Sequence, residues 1–401
     1  MTCYIIGGKV LTMTGKIWEK GYVRIKDGKI TELGPMKNGA PFPLPEGGHV
    51  MVVNALGALV MPGLIEAHCH MGITEEKKGM EGDDCNETVD PLTPQLRAMD
   101  AINPMDAAFD DALRAGITSA MIGPGSANVV GGTFSFVKTH GRAIDEMLVL
   151  SPAAMKVAFG ENPKVNYAGQ DKSPVTRMAI AAMLRQELFK AQRYYEKKCT
   201  GMKRWEEDFH YEAWVPVFEG KIPLKAHVHR ADDIQTAIRI AKEYGLSMTL
   251  DHCSEGHLIA EKVKESGFPA IVGPDLASRN KIEVQNMAFK TVGILNKAGV
   301  KTAITTDHPV SLIQSLPICA GLAVKSGMDE TEALKSITIY PAQICGTDDR
   351  VGSLEVGKDA DIAIFDQLPL HVGAKTLCTM IGGKIVYADE SFPLPVCEKN
   401  V

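Results

Sequence analysis

Four strand-length apolar runs in this chain, far apart in sequence, each end on a residue able to bind a metal ion. Leu59-Val60-Met61-Pro62-Gly63-Leu64-Ile65 leads to His68-Cys69-His70, and Ile222-Pro223-Leu224-Lys225-Ala226 leads to His227. Leu246-Ser247-Met248-Thr249-Leu250-Asp251 leads to His252, and Val300-Lys301-Thr302-Ala303-Ile304-Thr305-Thr306 leads to Asp307. Strand side chains alternate faces, so two histidines one residue apart point the same way and can clasp one ion while Cys69 points opposite. Each of the three later runs is followed by a helix-like segment. That order belongs to parallel strands alternating with helices, with the chemistry gathered at the strand C-termini.

A further piece is Ala153-Ala154-Met155-Lys156-Val157-Ala158-Phe159-Gly160, where a lysine interrupts an apolar run. An unpaired buried ammonium is costly, so Lys156 must find an anion, snorkel to water or be chemically altered. A carbamate formed with carbon dioxide turns it into an anionic, two-oxygen bridge for metal ions.

Together these segments resemble the amidohydrolase superfamily of metal-dependent hydrolases, and the resemblance covers nearly the whole chain. It rests on Met61-Pro62-Gly63-Leu64-Ile65-Glu66-Ala67-His68-Cys69-His70, Ala226-His227-Val228-His229, Leu250-Asp251-His252, Thr306-Asp307 and the tail Val351 to Asp361. The branch that looks most similar holds imidazolonepropionase-related enzymes and metal-dependent amino-acid amidases and dipeptidases. The resemblance implies two divalent ions: one on His68, His70 and Asp307, the other on His227 and His252, with a Lys156 carbamate between them. A single-ion centre, with Lys156 merely paired to a carboxylate, is the alternative. Zinc suits the histidine and carboxylate ligands, although iron, manganese, nickel and cobalt accept similar ones.

The resemblance also implies hydrolysis of a carbon–nitrogen bond, in an amino-acid derivative, a dipeptide or a cyclic amide, with Asp307 as proton shuttle. The alternative is deamination of an amino-heterocycle or amidine at a single metal. Deaminases of the superfamily typically place a glutamate a few residues after the fifth-strand histidine, whereas here His227 is followed by Val228, His229 and Arg230. A catalytically silent scaffold is the third reading, and retention of every candidate ligand weighs against it.

At 401 residues and 45% hydrophobic content the chain can bury one large barrel core and a smaller accessory domain. Its 43 Lys and Arg against 49 Asp and Glu give a net charge of −6, no electrostatic footprint for nucleic acid. Met1-Thr2-Cys3-Tyr4-Ile5-Ile6-Gly7-Gly8 lacks the basic start and apolar stretch of a signal peptide, and no span reaches transmembrane length. The expectation is a cytoplasmic protein without membrane contact, acting on a small molecule, with homo-oligomerisation left open. Nine scattered cysteines without paired zinc-finger spacing are expected to be reduced, with Cys69 and Cys253 packing away from the site.

The accessory domain is expected from both ends. Segments within residues 4–33 alternate apolar and polar positions around the turn Lys26-Asp27-Gly28-Lys29, and Asp361 to Phe365 and Thr379 to Tyr387 repeat that style around Gly382-Gly383. The expected fold is α/β: a (β/α)8 TIM barrel over 62–351, with a small β-sandwich formed by 1–61 and 352–401. Within the barrel, Met105 to Ala115 reads as a helix, Gly116 to Ile122 as the second strand and Ser135 to Lys138 as the third. Helices are expected over Pro174 to Lys198, whose basic residues form a solvated face, over Ala231 to Tyr244 and over Gln285 to Ala298.

Around the mouth, His229 shares the face of His227 and is a candidate substrate contact or alternative ligand. His140, after the third strand, is a second candidate contact. Arg279, with Lys281, follows the seventh strand and is a candidate for binding a substrate carboxylate. The acidic connection from Gly72 to Asn103 reads as a lid. Trp205, Phe209, Tyr211, Trp214 and Phe218 either wall the mouth or pack on the barrel.

Overall fold

The computed structural model describes residues 2–36, 49–76, 79–200, 206–393 and 396–399. Trp205 lies outside them. Eight strands form the central sheet: β1 (Leu64–Cys69), β2 (Ile117–Ile122), β3 (Val130–Lys138), β4 (Leu148–Ala158), β5 (Leu224–Val228), β6 (Met248–His252), β7 (Ala270–Val272) and β8 (Thr302–Ile304), paired in that order. No ladder joins β8 to β1 among the described residues. The seam is closed instead by Thr305 Oγ1 donating to the His68 carbonyl at 2.6 Å and by the His70 N–H donating to the His308 carbonyl at 2.8 Å. Glu66 reinforces it from inside: its Oε1 lies 2.5 Å from Thr305 Oγ1 and shares that hydroxyl's one proton with the His68 carbonyl, and its Oε2 accepts from the Thr306 N–H and hydroxyl at 2.9 and 2.7 Å. The result is a nearly closed eight-stranded α/β barrel.

One strand departs from the expected (β/α)8 alternation. β3 runs antiparallel to both β2 and β4, so that no crossover helix separates β2, β3 and β4. A parallel crossover needs a dozen or more residues, and the connection 123–129 is too short for one. β3 therefore climbs down the barrel, and its C-terminal end lies beside the start of β2, where Thr139 Oγ1 donates to the Ile117 carbonyl at 2.7 Å. From β4 onward all ladders are parallel.

The strand faces follow the sequence pattern. Val157, Ala226, Val228 and Leu250 point outward into the main core against the surrounding helices, while Lys156, Lys225, His227 and Asp251 point into the barrel. Cys69 and Cys253 are buried in that outer core, as expected. Helices form over Ala107–Arg114, Arg177–Cys199, Ala231–Tyr244 and Lys290–Ala298, the last beginning later than its sequence suggested. Ala231–Tyr244 buries Ile234, Ala237, Ile240 and Ala241 at helical spacing and stops at Gly245, whose φ of +67° is the left-handed conformation glycine adopts freely. No helix among the described residues is long and apolar enough to cross a membrane.

Strands from both ends of the chain pair as expected, but in one continuous sheet of nine among the described residues, without two separately paired layers. Leu59–Pro62 joins the two ends, pairing with Lys9 and Val10 on one side and antiparallel with Ile362–Phe365 on the other. The sheet encloses its own core of Ile5, Val23, Ile25, Val53, Ile362 and Met380. Since Leu59–Pro62 runs directly into β1, this core anchors the strand that carries His68.

Candidate metal centre

Five imidazoles converge at the C-terminal mouth of the barrel. His68 and His70 come from β1, His227 and His229 from β5, and His252 from β6, with ring centroids of neighbouring members 4.5–5.4 Å apart. Each ring is tied back through Nδ1. His68 Nδ1 meets Asp251 Oδ2 at 2.5 Å, and His70 and His252 Nδ1 meet the Gly123 and Gly273 carbonyls at 2.7 and 2.8 Å. His227 and His229 Nδ1 meet the Ser126 and Ser254 hydroxyls, each at 2.8 Å. A carbonyl or carboxylate partner requires a proton on Nδ1, which in a neutral ring leaves Nε2 as a bare lone pair. Such second-layer tethers are the usual way a histidine is aimed at a metal.

Strand alternation alone places Asp251 inside the barrel and His252 outside it. The backbone resolves this: His252 and Cys253 adopt φ of +70° and +46°, and Asp307 a φ of +52°, conformations rare for residues with a side chain. The turn at His252 brings its ring into the mouth beside Asp251. Local strain at the end of two strands is thus used to position the cluster.

Asp307 completes one side of it, with Oδ1 3.2 Å from His70 Nε2 and 3.6 Å from His68 Nε2. A carboxylate oxygen this close to imidazole nitrogens calls for a shared cation, a proton on His70 Nε2 or a metal ion that displaces it. Against burial, Cys85 and Asp307 hold the His70 ring up to about 10, and His252 and His70 hold the Asp307 carboxyl below its ordinary value. Burial pushes His68, His227 and His252 well below the usual imidazole range, so these rings are neutral and ready to ligate. Asp307 Oδ1, His252 Nε2 and Glu283 Oε1 are buried without a hydrogen bond among the described residues, and all three face this space. Two sets fit a divalent ion: His68, His252 and Asp307, and His227, His229 and His252.

Lys156 is fully buried, its Nζ 3.4 Å from His68 Nε2 and 5.5 Å from the centre of the Phe134 ring. Burial draws it from 10.5 to about 8 against the pull of Asp251 and Asp307. It has no ion pair within reach among the described residues, because Asp251 is taken by Lys225 at 2.8 Å.

The other predicted residues separate. His229 joins the cluster. His140 does not: the reversed direction of β3 puts it, exposed, at the opposite end of the barrel. Arg279 also stays apart, exposed and donating to the Met287 carbonyl at 2.9 Å. Lys281 is the cation that reaches the mouth, bonded to Asn162 Oδ1. Trp214 packs at the protein core, whereas Phe209 and the acidic segment line a cavity of about 570 Å³ with Asp83, Asp84, Cys85 and Glu87. Cys85 sits beside His70 and so connects that cavity to the metal centre.

Four participants carried no role in the sequence reading. Glu66, Lys225 and Asp251 are polar interruptions of inward-facing strand positions, the same signal that exposed Lys156. Glu283 lies in the single 3-10 turn Ile282–Val284 after β7, too short for any periodicity to mark it. The serine tethers invite a test: Ser126→Ala should leave the fold intact and weaken zinc binding by about tenfold, measured by competition with a chromophoric chelator.

The amidohydrolase family profile matches residues 206–386. A crystal structure of an amidohydrolase from Thermotoga maritima superposes with a TM-score of 0.91 at 36% identity, covering 96% of this chain and 100% of that one. Amidohydrolase tasK of Hapsidospora irregularis is 27% identical over 411 residues, which is 94% of this chain but only 41% of that protein's length. The imidazolonepropionase of Rhizobium rhizogenes is 23% identical over 367 residues, 85% of each chain.

Proposed function

Because the chain belongs to the amidohydrolase superfamily, we propose that it is a metal-dependent hydrolase of carbon–nitrogen bonds, acting on an amide of an amino-acid derivative, a dipeptide or a cyclic amide. The observation that carries this reading is the convergence of five Nδ1-tethered histidines with the Asp307 carboxylate at one barrel mouth. His68, His70 and Asp307 would hold one divalent ion, zinc by ligand type, and His227 and His252 a second, with a carboxylated Lys156 supplying an anionic ligand between the two sets. Bound there, such ions acidify water and polarise a carbonyl oxygen.

The chain's own groups supply the rest. Asp307, ionised at neutral pH, accepts a proton as water adds to the amide carbon and returns it to the nitrogen as the carbon–nitrogen bond breaks. Lys156, drawn toward its neutral amine, has the nucleophile that adds to carbon dioxide; the released proton leaves to solvent and an anion remains among the histidines. Asp251 and Lys225 neutralise each other under His68, so the added negative charge faces the ions alone.

Amide hydrolysis is favoured over deamination by where the acids lie. The first carboxylates after His227, Asp232 and Asp233, are paired with Arg230 and Arg177, and Glu255 turns away to accept from the Ala231 N–H at 2.8 Å. A product-resolved screen of zinc-loaded protein against N-acyl amino acids, dipeptides, lactams, cyclic ureides and aminated heterocycles tests the reading. Acid plus amine from an amide, lost on chelation and restored by zinc, is expected; ammonia release from an aminated heterocycle alone would replace amide hydrolysis by deamination.

A further inference from the structure

Glu283 is a buried carboxylate that the reaction outlined above does not use. One of its oxygens is fully engaged: Oε2 accepts from the Glu161 N–H at 2.8 Å and presses against Gly160, where a Cβ would come within 2.7 Å of it. Gly160 also has a φ of +83°, so this position excludes side chains twice over and lets Glu283 reach the barrel mouth. The other oxygen, Oε1, has no hydrogen bond among the described residues and lies 3.8 Å from His227 Nε2 and 4.0 Å from His229 Nε2. Lys281 forms only a long ion pair with it, its Nζ 3.9 Å away and hydrogen-bonded to Asn162 instead.

A carboxylate that is 1% exposed and left one oxygen short of a partner is expensive unless a cation completes it. Beside Lys281, that oxygen faces the Nε2 atoms of two imidazoles whose Nδ1 atoms are held by serines. His252, the third member of this group, has an unpartnered Nε2 as well. We propose that His229 and Glu283 are ligands of the second ion, which is thereby held by His227, His229, His252 and Glu283. Three neutral imidazoles and one carboxylate are a donor set that suits zinc or cobalt(II). The inference rests on the two-ion reading above and adds to it an anionic ligand from the loop after β7.

The test is cobalt(II) uptake by apo wild-type protein, Glu283→Gln and His229→Asn, followed by titration and by the visible absorption of the bound metal. Glutamine keeps the size of Glu283 and its acceptor for the Glu161 N–H. Expected is a loss of at least about tenfold in affinity for one of two ions in each variant, with a changed cobalt spectrum and the other ion retained. Because a fold defect could mimic weak uptake, melting of the apo forms is compared too: equal apo Tm values with a smaller cobalt-induced rise in the variants support ligation. Two ions bound at unchanged affinity with an unchanged spectrum would overturn it. Uptake of a single ion by wild-type protein would refute the two-ion reading instead, and Glu283 is then a ligand if Glu283→Gln weakens that ion and is not one if it has no effect.

Discussion

Asp307→Asn is expected to fold, to keep part of its metal and to lose at least about a hundredfold in turnover, the lower range for removal of a general acid–base group. Asparagine preserves the shape of the side chain and its acceptor oxygen but cannot take up a proton near neutral pH. The Asp307 N–H bond to Thr305 Oγ1 at 3.0 Å and the seam held by Glu66 involve no atom that the substitution alters, so the strand end keeps its course. Asparagine also weakens a ligand facing His70 and His68, which is why metal content has to be measured beside turnover. Near-normal hydrolysis by a metal-replete variant would remove Asp307 as the shuttle.

Why Asp307 was legible from sequence, and Glu283 was not, has a physical basis. A barrel strand buried on both sides must be apolar along its length, so a polar residue inside or at the end of such a run stands out: His68, Lys156, His227, His252 and Asp307 all do. Loops carry no such contrast, and Glu283 and Cys85 reach the centre from irregular segments. His140 failed for a different reason. The start of β3, Val130-Gly131-Gly132-Thr133, reads as a turn because of its paired glycines, so only Ser135 to Lys138 showed as strand. With the start recognised, the short link from Ile122 would have excluded a parallel crossover and placed His140 at the far end. The doubled inward position at Asp251 and His252 was likewise hidden, since it depends on a left-handed backbone that residue type does not announce. The joining of the two chain ends was visible in alternation and turns, whereas their merging into one sheet depends on Leu59–Pro62 pairing on both edges, which periodicity does not encode.

Lys156→Met separates two opposite electrostatic roles for a buried lysine. An unmodified ammonium 3.4 Å from His68 Nε2 would repel any divalent ion that His68 holds. Unit charges about 4 Å apart interact by about 4 kcal/mol at an effective dielectric of 20, and a doubly charged ion doubles that figure to about 8 kcal/mol. Were Lys156 an ammonium, its removal would therefore tighten metal binding. If Lys156 is a carbamate, the same substitution removes an anionic ligand: bound metal should fall from about two ions toward one or none, and turnover by more than about a hundredfold, beyond the loss seen when only a supporting residue is changed. Methionine fills most of the volume in a site lined by Phe134 and leaves Lys225 paired with Asp251, so the barrel has no new unpaired charge to accommodate. Bicarbonate supplies the second half of the discrimination. Wild-type protein reconstituted with zinc should regain activity faster with bicarbonate than in carbon-dioxide-free buffer, and Lys156→Met should show no difference; tighter metal binding in the variant, or bicarbonate-independent recovery of the wild type, would leave Lys156 as an ordinary amine and the two ions without their bridge.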